Sequence, residues 1–166
     1  MAESVGLIVK PQHGPPVNEL PVVADVASSW IGDGVAVAVP SCLVYSTGML
    51  LTVIGRTRAR RRSGDIQEAA RLIREGLEDR PGAVFRLTVN GGRASLMGGH
   101  HQNYGWEYQL WKSFGEAGPQ QGLTLVLDWP EAGLSHGAHE VAGETLLQAA
   151  GRVITLWPLP TDSESA

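Results

Sequence analysis

The stretch Cys42-Leu-Val-Tyr-Ser-Thr-Gly-Met-Leu-Leu-Thr-Val-Ile54 determines the fold class that we predict for this chain. Two runs of apolar and β-branched residues, Cys42–Tyr45 and Met49–Ile54, flank the short connection Ser46-Thr47-Gly48. A short glycine-containing connection between two such runs is typical of a β-hairpin. Just before them, valine alternates with alanine over Val35–Val39, which favours a strand packed closely on both faces. We therefore expect antiparallel strands joined by tight turns.

Further stretches with the composition of strands follow this hairpin. Val84–Val89 and Arg93–Met97 are joined by Asn90-Gly91-Gly92, and Asn-Gly predicts a hairpin because both residues tolerate a positive φ. In Trp106–Trp111, Trp, Tyr and Leu alternate with Glu, Gln and Trp, which indicates a half-exposed strand. The other predicted strands are Pro21–Ala27 and Gly122–Trp129.

Two segments carry apolar residues at helical spacing. We expect the first helix at about 65–79, where Asp65 and Glu68 resemble a capping box and Arg80-Pro81-Gly82 follows the end. We expect the second at about 144–157, with Glu144 in its first turn. The apolar positions are Ile66, Ala69, Ala70, Ile73 and Leu77 in the first and Leu146, Leu147, Ala150, Val153, Ile154 and Trp157 in the second.

These elements predict an α+β, mainly β protein: an antiparallel β-sandwich-like body or a curved sheet with two helices. A doubly wound parallel sheet would need a helix between nearly every pair of strands, and the chain offers only two. We expect an extended N-terminal arm at 1–20, a single globular domain at 21–158 and a disordered tail at 159–166. The polar composition of Pro160–Ala166 favours this tail.

Composition narrows the class of protein further. The chain has 166 residues, enough to bury roughly 70% of its unfolded surface without disulfides or metals. Its single cysteine, Cys42, excludes an internal disulfide and a thiolate-rich metal site. No signal peptide or apolar run long enough to cross a membrane is present, so we expect a cytoplasmic protein that does not associate with membranes.

Three segments carry a resemblance to a known family. They are Val44-Tyr45-Ser46-Thr47-Gly48, Leu127-Asp128-Trp129-Pro130 with Gly133 after it, and Ala149-Ala150-Gly151-Arg152 running to Leu156-Trp157-Pro158. In these segments the chain resembles an uncharacterised family of small β-rich actinobacterial proteins. The shared motifs are packing and turn motifs, and no activity is assigned to that family. The resemblance therefore implies a β-rich fold and no functional residue.

A run of arginines is the most conspicuous candidate for binding. Arg56, Arg58, Arg60, Arg61 and Arg62 lie within seven residues. Guanidinium groups in such number could bind an acidic protein partner or the phosphates of a nucleic acid. The alternative is a solvated face that guards a strand edge, because Arg56, Arg58, Arg60 and Arg62 share a parity. The net charge of −4 argues against general attraction to nucleic acid.

Two aromatic residues are a second candidate. If Trp106 and Tyr108 lie on one exposed strand face, they form a flat platform for a sugar, a peptide or a protein. The alternative is that both rings fill the core while Glu107 and Gln109 occupy the exposed face, because tryptophan is seldom left in water. The sequence leaves both interpretations open.

Histidines offer a third candidate, a metal site. His100 and His101 are expected in one glycine-rich loop, and His136 and His139 in a second segment of uncertain structure. Together they could bind zinc and leave a position open for water, as in a metal-dependent hydrolase. The sequence has no His-Glu-x-x-His motif, and histidines beside glycine are common in ordinary loops. We therefore assign no metal, no cofactor and no catalytic residue.

The sequence thus predicts a non-catalytic protein-binding or accessory module. Its binding residues would be the five arginines together with Trp106 and Tyr108, and its partner another protein with an acidic surface. A metal-dependent hydrolase and a weak nucleic-acid binder are the alternatives. Association with further copies of the chain stays open.

Overall fold

The computed structural model describes residues 14–78 and 80–159, except the side chains at 135 and 136. Its strands are β1 (Glu19–Leu20), β2 (Val22–Ile31), β3 (Val35–Val44), β4 (Gly48–Thr57), β5 (Arg86–Val89), β6 (Ser95–Gln102), β7 (Gly105–Ser113), β8 (Leu123–Trp129), β9 (Leu134–Val141) and β10 (Ile154–Thr155). Its α-helices are α1 (Ser63–Leu77) and α2 (Gly143–Gly151). Two short 3-10 helices lie at Pro119–Gln121 and Pro130–Ala132.

Within residues 14–78 and 80–159, all strand pairs are antiparallel, and they form three sheets. The largest has five strands in the order β2-β3-β4-β7-β6, the second has the order β5-β8-β9, and β1 pairs with β10 alone. An α+β, mainly β architecture of antiparallel sheets and two helices is therefore confirmed. Among the described strands, β2–β3, β3–β4, β6–β7 and β8–β9 are pairs of consecutive strands, whereas β4–β7, β5–β8 and β1–β10 join strands that are distant along the chain. Because every pair is antiparallel, none of these connections has to be a crossover helix.

One hydrophobic core lies between the five-stranded and the three-stranded sheet. On one side β2 meets β9, where the indole nitrogen of Trp30 donates to Gly137 O at 2.8 Å. On the other side α1 contacts both β5 and β6, and its buried residues Ile73 and Leu77 join the core. The two layers are thus joined at one side by strands and at the other by a helix.

The hairpin at the centre of the predicted fold is confirmed. β3 and β4 pair from Val44↔Met49 to Val35↔Thr57, and Tyr45 N donates to Gly48 O at 2.8 Å across the turn. Their alternate residues are buried in the core, as expected for a strand pair in the middle of a sheet.

The second predicted hairpin is wrong in its pairing. Asn90 and Gly91 do adopt positive φ values of 53° and 74°, and Val89 bridges Gly92. The strands on either side then diverge, because β5 pairs with β8 in the three-stranded sheet and β6 pairs with β7 in the five-stranded sheet. The turn therefore connects two layers, and its local chemistry does not determine which strands pair.

Both helices are present, with different ends from those predicted. α1 begins at Ser63, with Arg62 as N-cap residue, so Asp65 is the third residue of the helix and accepts from Arg62 N at 3.3 Å. α2 ends at Gly151, well short of 157. Its predicted continuation instead forms β10, because β1 offers Ile154 and Thr155 a pairing partner.

The predicted arm and tail lie partly within the described residues. The end of the arm is strand β1, and Asn18 Nδ2 donates to Trp157 O at 2.8 Å. Residues 1–13 and 160–166 lie outside the described residues. Within residues 14–78 and 80–159, no helix has the length and apolar character needed to cross a membrane.

Candidate binding surface of the arginine segment

The arginine segment, Arg56–Arg62, comprises the end of β4 and the loop that leads into α1. Backbone hydrogen bonds hold this loop against two turns: Thr57 N donates to Tyr104 O at 2.8 Å, and Arg58 N donates to Gly34 O at 2.9 Å. The side chains with even numbers are exposed, whereas that of Arg61 is partly buried. The exposure expected from the shared parity is therefore present, although the strand itself ends at Thr57.

Arg61 points back into the protein and fastens the loop. Its backbone N donates to Asn103 O at 2.8 Å, and its guanidinium donates to Gln102 O at 2.7 Å and also to Gly105 O. Nη1 lies 3.3 Å from Nδ1 of His101. Burial lowers the pKa of Arg61 below its usual value. This arginine is thus occupied by internal contacts and supports its exposed neighbours.

His101 and Tyr108 continue this polar contact into the sheet. Nε2 of His101 lies 2.6 Å from the Tyr108 hydroxyl. Burial, reinforced by the positive charges of Arg61, His100 and Arg74, lowers the pKa of His101 to about 4. The ring is therefore neutral at pH 7, so Nδ1 accepts from Arg61 and Nε2–H donates to the Tyr108 oxygen.

The first hollow beside the segment lies on the outer face of the five-stranded sheet, turned away from the three-stranded sheet. It measures about 260 Å³ and has Ile31, Ala36, Arg56 and Arg58 among its lining residues. Strand register places Ile31 opposite Ala36, and Ala36 opposite Arg56. Ile31 is 81% exposed. This outer hollow thus combines an apolar side chain in water with two cations.

The second hollow lies where the loop enters α1. It measures about 480 Å³ and is lined by Arg60, Arg61, Arg62, Ser63 and Asn103. No carboxylate is among these lining residues. Arg62 is the N-cap residue, and its side chain has no acceptor with which to cap the N–H groups of the first helical turn. This helix-entry hollow is therefore surrounded by hydrogen-bond donors.

The arginine segment differs in its ion pairs from Arg71 of α1 and from Arg80, which follows the helix. Arg71 pairs with Glu68 at 2.6 Å and Glu75 at 2.8 Å, and Arg80 pairs with Glu78 at 2.8 Å. Throughout the described part of the chain, no arginine of the segment forms an ion pair. The four exposed guanidiniums of the segment thus have no carboxylate paired with them among the residues that the structure describes.

Trp106 and Tyr108 do not form an exposed platform, so this part of the predicted binding surface is wrong. Each is only 2% exposed, because their face of β7 points into the core. Trp106 lies opposite Gly55 and contacts Phe85 with ring centroids 5.9 Å apart. A Cβ at Gly55 would lie 2.0 Å from the indole, so this glycine makes room for the ring.

The predicted metal ligands lie in strands, not in loops, and the described ones are separated. His100 and His101 are consecutive in β6 and therefore project to opposite faces. His139 lies in β9, which packs beside β2, and its Nε2 is 3.1 Å from Ser29 O. The side chain of His136 lies outside the described residues. Among the side chains that are described, no three of His, Cys, Asp or Glu are grouped to hold a metal.

Cys42 lies in the core, 2% exposed, and burial raises the pKa of its thiol to about 12. A thiolate nucleophile needs the opposite, a lowered pKa and access to solvent. The small apolar role expected of a cysteine inside a strand accounts for this residue.

The arginine segment and the two hollows beside it are thus the candidate binding surface of this protein. No protein-family model, curated protein or solved structure matches the sequence of this chain.

Proposed function

We propose that this chain is a non-catalytic protein-binding module, and that its arginine segment and the adjoining outer sheet face contact an acidic surface of a partner protein. The partner would be met in the cytoplasm, the location expected from the sequence. The observation that carries the proposal is the absence of any ion pair to the arginine segment within residues 14–78 and 80–159.

Two arginines outside the segment, Arg71 in α1 and Arg80 after the helix, differ from it in their charge partners. Arg71 and Arg80 already have carboxylate partners, so they gain little from a second acidic group. Arg56 and Arg58 are exposed and form no ion pair within residues 14–78 and 80–159, so carboxylates of a partner would give them counter-charges that the described residues do not supply. Arginine also forms forked hydrogen bonds with carboxylates, which adds direction to the attraction.

Ile31 supplies the apolar part of the same surface. It is the most exposed of the large apolar side chains that the structure describes, and it lies across β3 from Arg56. Protein interfaces typically combine an apolar centre with a charged rim, and the rim raises the rate of association more than the affinity. The outer hollow contains both parts, because Ile31 is apolar and Arg56 and Arg58 are charged.

The test is quantitative capture of partners by cross-linking in the cells that produce the chain. We compare the wild type with the double variant Arg56→Gln/Arg58→Gln and with a control, Arg80→Gln/Arg93→Gln/Arg152→Gln, which removes exposed arginines elsewhere. We expect one set of acidic proteins to be captured by the wild type and the control and reduced at least about tenfold by the double variant.

Equal recovery of every protein by the double variant would contradict the proposal. A further variant, Ile31→Ser, distinguishes the contribution of the apolar side chain from that of the arginines. We expect it to shorten the lifetime of the complex, whereas loss of the arginines lowers mainly the association rate and its dependence on salt.

A further inference from the structure

The helix-entry hollow has a composition that goes beyond general attraction to acidic proteins. Three consecutive residues, Arg60, Arg61 and Arg62, line it, and its other lining residues, Ser63 and Asn103, are hydrogen-bonding residues. Its volume of about 480 Å³ lies in the range of sites that take a small ligand or a single side chain. Such a hollow favours one compact anion over an extended acidic surface.

The positive charge around this hollow exceeds what a single carboxylate neutralises. Arg60 and Arg62 are exposed, and neither they nor Arg61 forms an ion pair among the described residues. The nearest acidic neighbour along the chain, Asp65, accepts from Arg62 N at 3.3 Å. A phosphate monoester carries about −1.5 to −2 charge at pH 7 and three acceptor oxygens, so it matches two guanidiniums better than one carboxylate does.

Arg61 gives the hollow a fixed base. Its guanidinium donates to Gln102 O and Gly105 O, and its backbone N donates to Asn103 O. These bonds hold the loop to the β6–β7 turn and so position its neighbours on either side before a ligand arrives. A preorganised set of donors binds more tightly because less side-chain and loop entropy is lost on binding.

We propose that the helix-entry hollow binds the phosphate of a phosphorylated side chain on the partner protein, through the guanidiniums of Arg60 and Arg62 and the hydroxyl and N–H of Ser63. The inference rests on the proposed function in one respect: the phosphate is carried by the partner protein that the proposed function assumes. It uses different arginines from those of the outer hollow. The two proposals can therefore fail separately.

The experiment measures binding of the capped peptide Gly-Gly-phosphoSer-Gly-Gly and of its glutamate counterpart by titration calorimetry. Amide NMR shifts of Ser63 and Gly64 report the place of binding. We expect the phosphopeptide to bind at least about tenfold more tightly than the glutamate peptide. We also expect its affinity to fall as the pH drops below the second phosphate pKa of about 6.

Variants assign the binding to the hollow. In Arg60→Gln/Arg62→Gln the phosphopeptide should lose its advantage over the glutamate peptide, whereas Arg56→Gln/Arg58→Gln should keep it. Equal affinities of the two peptides for the wild type would overturn the inference, and so would an unchanged preference in Arg60→Gln/Arg62→Gln. NMR shifts of the core amides verify that each variant is folded.

A nucleic acid is the competing source of phosphate, and a ten-nucleotide single-stranded oligothymidylate serves as its probe. Tighter binding of this probe than of the phosphopeptide, lost in Arg60→Gln/Arg62→Gln, would also overturn the inference. Weaker binding of the oligonucleotide supports it. If the phosphopeptide fails to bind while partner capture still depends on Arg56 and Arg58, only the phosphate site is wrong and the protein-binding function stands.

Discussion

Two neighbouring rows of residues cross the five-stranded sheet, one on each face. The inner row runs Trp30, Val37, Gly55, Trp106 and His101. The outer row runs Ile31, Ala36, Arg56, Gly105 and Gln102, one position away on every strand. The two tryptophans are at most 6% exposed, whereas Ile31 is 81% exposed.

The difference arises because the three-stranded sheet covers only one face of the five-stranded sheet. The inner row meets the three-stranded sheet, where Trp30 contacts Gly137 and Trp106 contacts Phe85. The outer row has no such layer over it at the arginine end, so Ile31 and Arg56 face solvent. The inner face therefore carries the packing of the core, and the outer face carries the binding that we propose. Substitutions on the two rows should therefore have separate effects.

The largest expected effect is that of Gly55→Ala in the inner row. Its Cβ would lie 2.0 Å from the Trp106 indole, which is fixed in the core, so the free energy of unfolding should fall by about 3 kcal/mol. Chemical denaturation measures this loss. The matched control is Gly98→Ala in the same sheet, where a Cβ meets nothing within 4 Å. Similar stability of the two variants would contradict the packing described for Trp106.

Arg61→Gln should come next, because Arg61 joins the end of the inner row to the loop. The variant loses donors to two backbone carbonyls, and we expect a loss of about 1–2 kcal/mol in the free energy of unfolding. Arg60→Gln, an exposed neighbour, should change it by less than about 0.5 kcal/mol. Hydrogen exchange of the Asn103 and Tyr104 amides should quicken in the first variant alone.

The pH dependence of stability tests the last residue of the inner row. The pKa of His101 is about 4 in the folded protein and 6.5 in its ordinary state, so between these values protons bind preferentially to the unfolded chain. Stability should therefore decrease as the pH falls from 6.5 to 4. We expect the drop in Tm from pH 7 to pH 5 to be smaller in His101→Gln than in the wild type. A drop of equal size in both would show that His101 is not the group responsible.

The smallest effect on stability should come from the outer row. Arg56→Gln/Arg58→Gln removes two exposed cations that form no ion pair with the described part of the chain, so we expect a change within about 0.5 kcal/mol in the free energy of unfolding. The same variant should lose partner capture, as described above. A large loss of stability would show instead that these arginines hold the fold together.

Local pattern predicted the two helices and the central hairpin, but it did not predict every element boundary or which strands pair. The Ser46-Thr47-Gly48 hairpin followed from its own turn chemistry. The Asn90-Gly91 turn has equally clear chemistry, but the strands on its two sides enter different sheets. β5 pairs with β8, which is distant along the chain, and β6 pairs with β7, which follows it after two residues. In the same way, residues with helical spacing after Gly151 form β10 because β1 is present to pair with them.

In the candidate site, too, some features were predictable from local sequence and others depended on tertiary contacts. The arginine run is visible in the sequence, and its even-numbered arginines are exposed, although the strand whose alternation would place them on one face ends at Thr57. That Arg61 turns inward depends on the carbonyls of Gln102 and Gly105, which the chain reaches only after a helix and two strands. Besides the general tendency of tryptophan to be buried, Gly55 was a further signal for the burial of Trp106, since a glycine inside a strand often marks the close approach of a large side chain.

The sequence by itself determined the β-rich class, the central hairpin, the existence of both helices and the concentration of arginines before α1. Alternation along a strand separates two faces but does not say which of them is covered. Only the tertiary structure decided that Trp106 and Tyr108 face inward and that Ile31 and Arg56 remain in water. The physical reason is that burial requires a second surface, and that surface comes from strands far away in the chain.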